Sequence, residues 1–340
     1  MADYVRNLWY MAAWEEEVVG DARLPRTLLD EPMLIYRKED GGYVMMSDRC
    51  PHRLAPLHKG QRSGDTIACP YHGLEFNAAG QCTRNPFSDL IPPHARVKTY
   101  PAVGRYGVIW FWPGDADQAD DSLIPNFAAL DDPKPIVRGR MNFGANYEII
   151  SDNLLDLSHV EFIHPESFRT EGKIFAGQYD AEETADGAIW SRWSMFNTIR
   201  PAWLEHLPAN TRLDEWIDMR WHAPALMLLH IGFTHAGTPR EAAPFPGMIN
   251  PHIITPETAT SSHYFYTRDP GDESEALANQ VFEDEDRPML EWIQRTMGDR
   301  DFWDWKPVIL NVDAAGIRAR RRLMKLRRAE QAGAEPLAAE

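Results

Sequence analysis

Two cysteines and two histidines in one short stretch constrain this chain more than any other feature of it. Cys50-Pro-His52 and Cys69-Pro-Tyr-His72 stand sixteen residues apart, so each half of the pattern offers one thiol and one imidazole. Sulfur and nitrogen ligands in equal number suit zinc or an iron-sulfur cluster. A common zinc finger takes its cysteines from one pair and its histidines from the other, whereas here the two types interleave. A two-iron centre explains the mixture: Cys50 and Cys69 on one iron, His52 and His72 on the other, which is the ligand set of a Rieske cluster. A structural zinc site is the alternative reading of the same four residues. Pro51, Pro70 and Gly73 fit two tight loops folded over such a cluster. Cys82 reads as a packing residue. His58, inside the stretch but off the ligand spacing, reads as a loop histidine.

The remainder of the 340 residues has room for a second domain. Three cysteines make no disulfide framework and no secretory leader is recognisable, so a cytoplasmic location is expected. No apolar run approaches the roughly 20 residues of a membrane span. A formal net charge of -16 argues against a nucleic-acid surface. Short strand-like runs between Leu34 and Gly114, "GVIWFWPG" among them, predict an all-β first domain. The acidic, proline-rich stretch around Pro135 marks the expected boundary, giving domains 1–135 and 136–340. Strand-like segments such as "ALMLLHIGFTH" and "SSHYFYTRD" then predict an antiparallel sheet flanked by helices, and the fold class is α+β. Asp284 to Met297 and Ala314 to Gln331 read as helices. The second carries Arg318, Arg320, Arg321, Arg322, Lys325, Arg327 and Arg328, either a solvated face or a docking patch for an acidic electron donor.

A one-electron cluster makes no product by itself, so the second domain needs somewhere to send electrons. "DNLLDLSHVEFIH" reads as a helix holding Asn153, Asp156, His159 and His164, with Asp156 and His159 three apart on one face. His159 and His164 are five apart and converge if the helix loosens or ends between them. With one carboxylate from elsewhere they would complete a 2-His-1-carboxylate set, which leaves positions on ferrous iron open. Two histidines beside a helix also serve as packing or capping residues, and that reading stays open.

From "VRNLWYMAAW" through "CPHRLAPL", "CPYHGLEF", "IWFWPGD", "DNLLDLSHVEFIH" and "ITPET" to "LNVDAAGIRARR", the chain resembles the Rieske non-haem iron oxygenases. The likeness is strongest to the oxygenase components of vanillate and dicamba O-demethylases. It implies a [2Fe-2S] Rieske cluster, a mononuclear Fe(2+), O2 as oxidant, and electrons from NAD(P)H through a ferredoxin or a flavin/iron-sulfur reductase. It also implies a homotrimer. By the same likeness His159 and His164 are the iron's histidines and Asp286 its carboxylate, with Asp284 the substitute. Asp156 matches an acid linking one subunit's iron site to the Rieske histidine of its neighbour, here His72, and Asn153 a residue near the iron. The implied reaction is oxidative O-demethylation of a methoxylated aromatic acid to a phenol and formaldehyde. Ring or aryl-methyl hydroxylation, or electron carriage without oxygenase activity, are the alternatives. His230, His252 and Arg200 are the candidate substrate contacts.

Overall fold

Runs of β-branched and aromatic residues cut by Gly, Pro, Asn and Asp favour short strands joined by tight turns. The computed structural model describes residues 3–131, 134–165, 167, 170–200, 204, 206–242 and 247–333. It divides into two units, Met1–Asp131 with Thr255–Ala259, and Asp132–Ile254 with Thr260–Glu340. The expected boundary at 135/136 thus compares with a division at Asp131/Asp132. Thr255–Ala259, expected in the second domain, is grouped with the first. The reason is local: the N–H groups of Leu29 and Asp30 donate to the carbonyls of Pro256 and Glu257, both at 2.9 Å.

The first unit is built from eleven strands in three small sheets. They are β1 (Tyr10–Trp14), β2 (Leu24–Leu28), β3 (Glu31–Arg37), β4 (Tyr43–Ser47), β5 (Gln61–Ser63), β6 (Thr66–Ala68), β7 (Glu75–Phe76), β8 (Cys82–Arg84), β9 (Thr99–Tyr100), β10 (Ala102–Arg105) and β11 (Val108–Phe111). The sheets run β1-β11-β10, β2-β3-β4-β9 and β5-β6-β7-β8. Leu34, Tyr36, Met46, Leu57, Ile67 and Phe76 close one core, and Cys50 and Cys69 belong to that same cluster. Burying both thiols among these side chains fixes the bases of the two ligand loops.

Seven further strands, β12 (Val137–Phe143), β13 (Gln178–Glu183), β14 (Ile189–Ile199), β15 (Arg212–His222), β16 (Leu226–His235), β17 (Met248–Thr258, of which the residues up to Ile254 are grouped with the second unit) and β18 (Ser261–Arg268), form one antiparallel sheet. Its order is β12-β18-β17-β16-β15-β14-β13. The helices are α1 (Tyr147–Leu155), α2 (Val160–Ile163), α3 (Asp272–Ala278), α4 (Arg287–Met297) and α5 (Ala314–Gln331). α5 packs on α1, β13 and β14, and α1 also touches β15. The Tyr179 hydroxyl on β13 accepts from the N–H of Ala315 on α5 at 3.2 Å, which marks the helix-covered face of the sheet. No helix among the described residues is long and apolar enough to cross a membrane.

The basic stretch on α5 is not simply a solvated face. Arg320 is 5% exposed and donates to Asp152 Oδ2 at 2.8 Å and Glu148 Oε2 at 3.1 Å, both on α1. Arg327 donates to the Tyr147 hydroxyl at 2.6 Å and pairs with Glu148, and Arg322 pairs with Glu183 at 3.0 Å. Acids on α1 and β13 neutralise these guanidinium groups. Arg321, Lys325 and Arg328 are left exposed at helical spacing.

Candidate metal centres

β4 and β6 each run out into a loop that starts at a candidate ligand cysteine. In both loops the cysteine N–H donates to the carbonyl five residues on, Cys50 to Ala55 at 2.9 Å and Cys69 to Leu74 at 2.8 Å. In both, the cysteine carbonyl accepts from the N–H four residues on, Leu54 at 2.8 Å and Gly73 at 3.0 Å. Closing that turn takes a left-handed residue, supplied by Leu54 at φ +58° and Gly73 at φ +70°. Glycine adopts this conformation freely and leucine at a cost. Gly73 stands out in the sequence; its counterpart Leu54, well exposed, does not.

The two thiols are not joined in a disulfide, and burial, with Cys69 close by, pushes the Cys50 thiol up to about 11. The His52 and His72 rings lie 4.6 Å apart at 60°. His72 Nδ1 is buried with no hydrogen-bond partner. An orphaned imidazole nitrogen beside a second imidazole and two adjoining thiols fits a Rieske cluster, where a metal is the missing partner. A cleft of about 440 Å³ opens at the histidine side, lined by Pro51, Leu74, Phe87 and His94 among others. Cys82 packs against the core, as expected. His58 pairs its ring with Asp48, whose other oxygen accepts from the His58 N–H at 2.8 Å.

α1 stops at Asp156, which leaves helical geometry at φ -105°, ψ 83°. The continuous helix expected through Asp156 and His159 is therefore broken between them. Asp156 Oδ1 accepts from the Ser158 N–H at 3.1 Å and the Ser158 hydroxyl at 2.6 Å, capping a short turn over Leu157–His159. His159 closes this turn and His164 follows the single turn of α2. The break brings the two rings to 5.2 Å at 68°.

The carboxylate arrives from a π-helix, Asn279–Asp286, set between α3 and α4. Its wide turns put two consecutive acids around one imidazole. Asp286 Oδ1 lies 3.4 Å from His164 Nε2 and 3.7 Å from His159 Nε2, and ligand atoms of all three residues fall within 4.8 Å of one another. Glu285 Oε2 accepts from His164 Nδ1–H at 2.7 Å and from the Ser167 hydroxyl at 2.6 Å. The Asp156 carbonyl accepts from His159 Nδ1–H at 2.5 Å. With each Nδ1 engaged, both imidazoles offer Nε2 to the same point as Asp286. Asn153 donates its Nδ2–H to Asp286 Oδ1 at 3.2 Å. Asp284 is exposed.

Burial pushes the Asp286 carboxyl up to about 6, with the nearby His159 pulling the other way. Burial likewise holds the His164 imidazole below its ordinary value, opposed by Glu285. Burial would raise Glu285, but hydrogen bonds from Ser167, His164 and Gln280 bring it below the usual carboxylate range. Two imidazole nitrogens and one carboxylate, each braced from behind, fit a 2-His-1-carboxylate iron site. Glu285, Ser167 and Gln280 as braces escaped the sequence reading, because no periodic pattern marks them.

Strand register separates the histidines expected to share the pocket. His252 on β17 pairs with Met227 on β16, whereas His230 pairs with Ile249. Alternation along β16 therefore puts Met227, Leu229 and Ile231 on the side of His252 and turns His230 to the opposite face. Tyr179, Trp193, Ile217 and Ile231 follow one another in register, so the His252 side is the helix-covered one. His230 lies instead with Trp190, 5.3 Å away, over the Arg192–Asp218–Arg240 cluster. Arg200 follows β14, and its Nε donates to the Pro208 carbonyl at 3.3 Å. His252 is buried against Tyr264 and Phe282, and Phe282 belongs to the π-helix that supplies Asp286.

The similarity to known proteins runs along the same two centres. Residues 8–101 match the Rieske [2Fe-2S] domain, and residues 143–329 match the vanillate O-demethylase oxygenase C-terminal domain. The oxygenase component of chloroacetanilide N-alkylformylase from Rhizorhabdus wittichii is 34% identical over 94% of this chain and 94% of its own. The dicamba O-demethylase oxygenase component of Stenotrophomonas maltophilia is 34% identical over 97% of this chain and 99% of its own. A crystal structure of dicamba monooxygenase bound to dicamba aligns with a TM-score of 0.86, over 97% of this chain and 100% of that one, at 34% identity. The chain belongs to the Rieske non-haem iron oxygenases of the vanillate O-demethylase type, a monooxygenase component that carries a [2Fe-2S] cluster and a mononuclear iron and is supplied by electron-transfer partners.

Proposed function

We propose that this oxygenase removes the methyl group from a methoxylated aromatic acid, giving a phenol and formaldehyde. One oxygen atom of O2 enters the methoxy C–H bond. The hemiacetal so formed falls apart to the two products, and the second oxygen leaves as water with two electrons and two protons. The iron supplies O2 activation at the positions that three protein ligands leave open.

His159, His164 and Asp286 hold the iron, and Cys50, Cys69, His52 and His72 hold the cluster. In this reading residues 1–135 form the Rieske domain and 136–340 the catalytic one. Glu285 and the Asp156 carbonyl keep both imidazoles turned, while Asn153 steadies Asp286. Electrons come from NAD(P)H through a ferredoxin or a flavin/iron-sulfur reductase, in the cytoplasm. Asp156 links the iron site to His72 of a neighbouring copy, which calls for a head-to-tail homotrimer. Exposed Phe162 and Phe175 beside a hollow of about 670 Å³ that Ser158 also lines support a subunit contact near Asp156. His252 is the favoured substrate contact; His230 faces away from it, and nothing about Arg200 favours it.

The observation that carries this reading is the convergence of His159, His164 and Asp286 with each Nδ1 already engaged. An electron carrier has no use for that arrangement. The test is turnover of 4-methoxybenzoate, vanillate and dicamba with a reductase, following O2 and formaldehyde together. Formaldehyde in step with O2 supports demethylation. A hydroxylated product without formaldehyde would replace it with ring or methyl hydroxylation.

A further inference from the structure

We propose that Tyr264 is a positioning residue: its hydroxyl fixes His252 in the tautomer that carries the proton on Nε2, so that the pocket offers the substrate one uncharged N–H donor. The inference rests on His252 being a substrate contact, as argued above, and adds what kind of group it contacts.

A buried tyrosine hydroxyl has one hydrogen and needs an acceptor for it. Among the described residues the Tyr264 hydroxyl has one hydrogen-bond partner, His252 Nδ1. Were the imidazole to carry its proton on Nδ1, it would donate to the Tyr264 oxygen and leave the phenolic hydrogen buried with no acceptor. The hydrogen therefore sits between Tyr264 and Nδ1, and the imidazole proton is on Nε2. That nitrogen is buried and has no partner among the described residues. His252 is 5% exposed, and burial holds its pKa down at about 4, so the ring is neutral at ordinary pH.

The geometry holds the pair still. The Tyr264 ring stacks on His252 at 5.8 Å, and the Phe282 ring meets both edge-on, at 6.0 Å from His252 and 5.2 Å from Tyr264. The neighbouring Tyr266 ring packs across Gly139, where a Cβ would come within 2.3 Å of it, and closes on Phe282 at 5.1 Å. On β16 the same face shows the uncharged Met227, Leu229 and Ile231, and Asp286 is near enough to act on the Tyr264 hydroxyl through space. Such a site selects a ligand with a hydrogen-bond acceptor, a carboxylate or carbonyl oxygen, and disfavours one that presents only a donor.

A double-mutant cycle on the iron-loaded enzyme tests this, read as the dissociation constant of 4-methoxybenzoate by calorimetry. Tyr264→Phe should weaken binding, by about twofold where the freed ring divides evenly between its tautomers, because Nε2 then spends half its time as an acceptor. His252→Gln supplies an amide N–H that has no tautomers, so it should stay within about threefold of the parent, and adding Tyr264→Phe to it should change little. An equal loss from Tyr264→Phe in both backgrounds would make Tyr264 a packing residue and overturn the proposal. Neutron diffraction of the deuterated resting enzyme decides the same point without ligand. Deuterium on His252 Nε2 supports the proposal and deuterium on Nδ1 defeats it, even if 4-methoxybenzoate fails to bind and the substrate class has to be revised.

Discussion

His164 donates its Nδ1–H to Glu285 at 2.7 Å while its Nε2 faces the next residue in the chain, Asp286, at 3.4 Å. One imidazole is thus braced and opposed by adjacent acids. A carboxylate behind a ligating histidine fixes the ring and makes it a better donor to metal.

Glu285→Ala should therefore lower iron affinity about 10- to 100-fold while leaving the Rieske signal intact. Glu285→Gln keeps an acceptor and should fall between the two. Iron titration of the metal-stripped protein reads the difference, and parental affinity in the alanine variant would refute the role.

The iron site should also lose affinity in acid. Burial pushes the Asp286 carboxyl of the metal-free protein up to about 6, and an ion held there would require the carboxylate. Below that pH the proton competes, costing about tenfold in apparent affinity per pH unit from this group alone. The sign for folding is the reverse. A carboxyl whose pKa is raised on folding stabilises the metal-free fold as its proton is taken up, between about pH 6 and the unfolded value near 4. Iron dissociation constants at pH 7, 6 and 5 check the first statement, and a flat profile contradicts it.

Asp156→Asn keeps the Oδ1 acceptor for Ser158, so the turn carrying His159 should survive. Metal content should stay at two irons for the cluster plus one at the second site, three in all. Coupled turnover should fall by at least roughly 100-fold, with chemical reduction of the cluster unchanged. Parental turnover would remove Asp156 from the electron path.

Arg320→Met leaves Asp152 without its cation in the α1–α5 interface, while Glu148 keeps Arg327. Breaking a buried pair in this way costs about 3–5 kcal/mol, which denaturant unfolding would register. A loss below about 1 kcal/mol would mean that Asp152 finds another partner or turns to solvent.

The sequence makes the candidate ligands legible where spacing is local. Cys50-x-His52 and Cys69-x-x-His72 sit in loops whose geometry depends on a few neighbouring residues, and the strand-rich composition points to antiparallel sheets. Relations between distant segments are another matter. Whether His230 and His252 share a face depends on the pairing of β16 with β17, and a shift of one residue would reverse the answer. The break at Asp156 was hidden because Ile150, Leu154, Leu157 and Val160 keep helical spacing across it. Burial of Arg320 could not be read from a run of arginines, since its partners Glu148 and Asp152 lie far back in the chain.

The π-turns ahead of α4 amount to a helix with a link to spare. Removing one residue there, exposed Asp284 for instance, would tighten the segment to an ordinary winding. Everything upstream would then swing by about 100° relative to α4. Gln280 would then turn away from Glu285 and Phe282 from His252, so the length of this segment, as much as the identity of its residues, is under constraint.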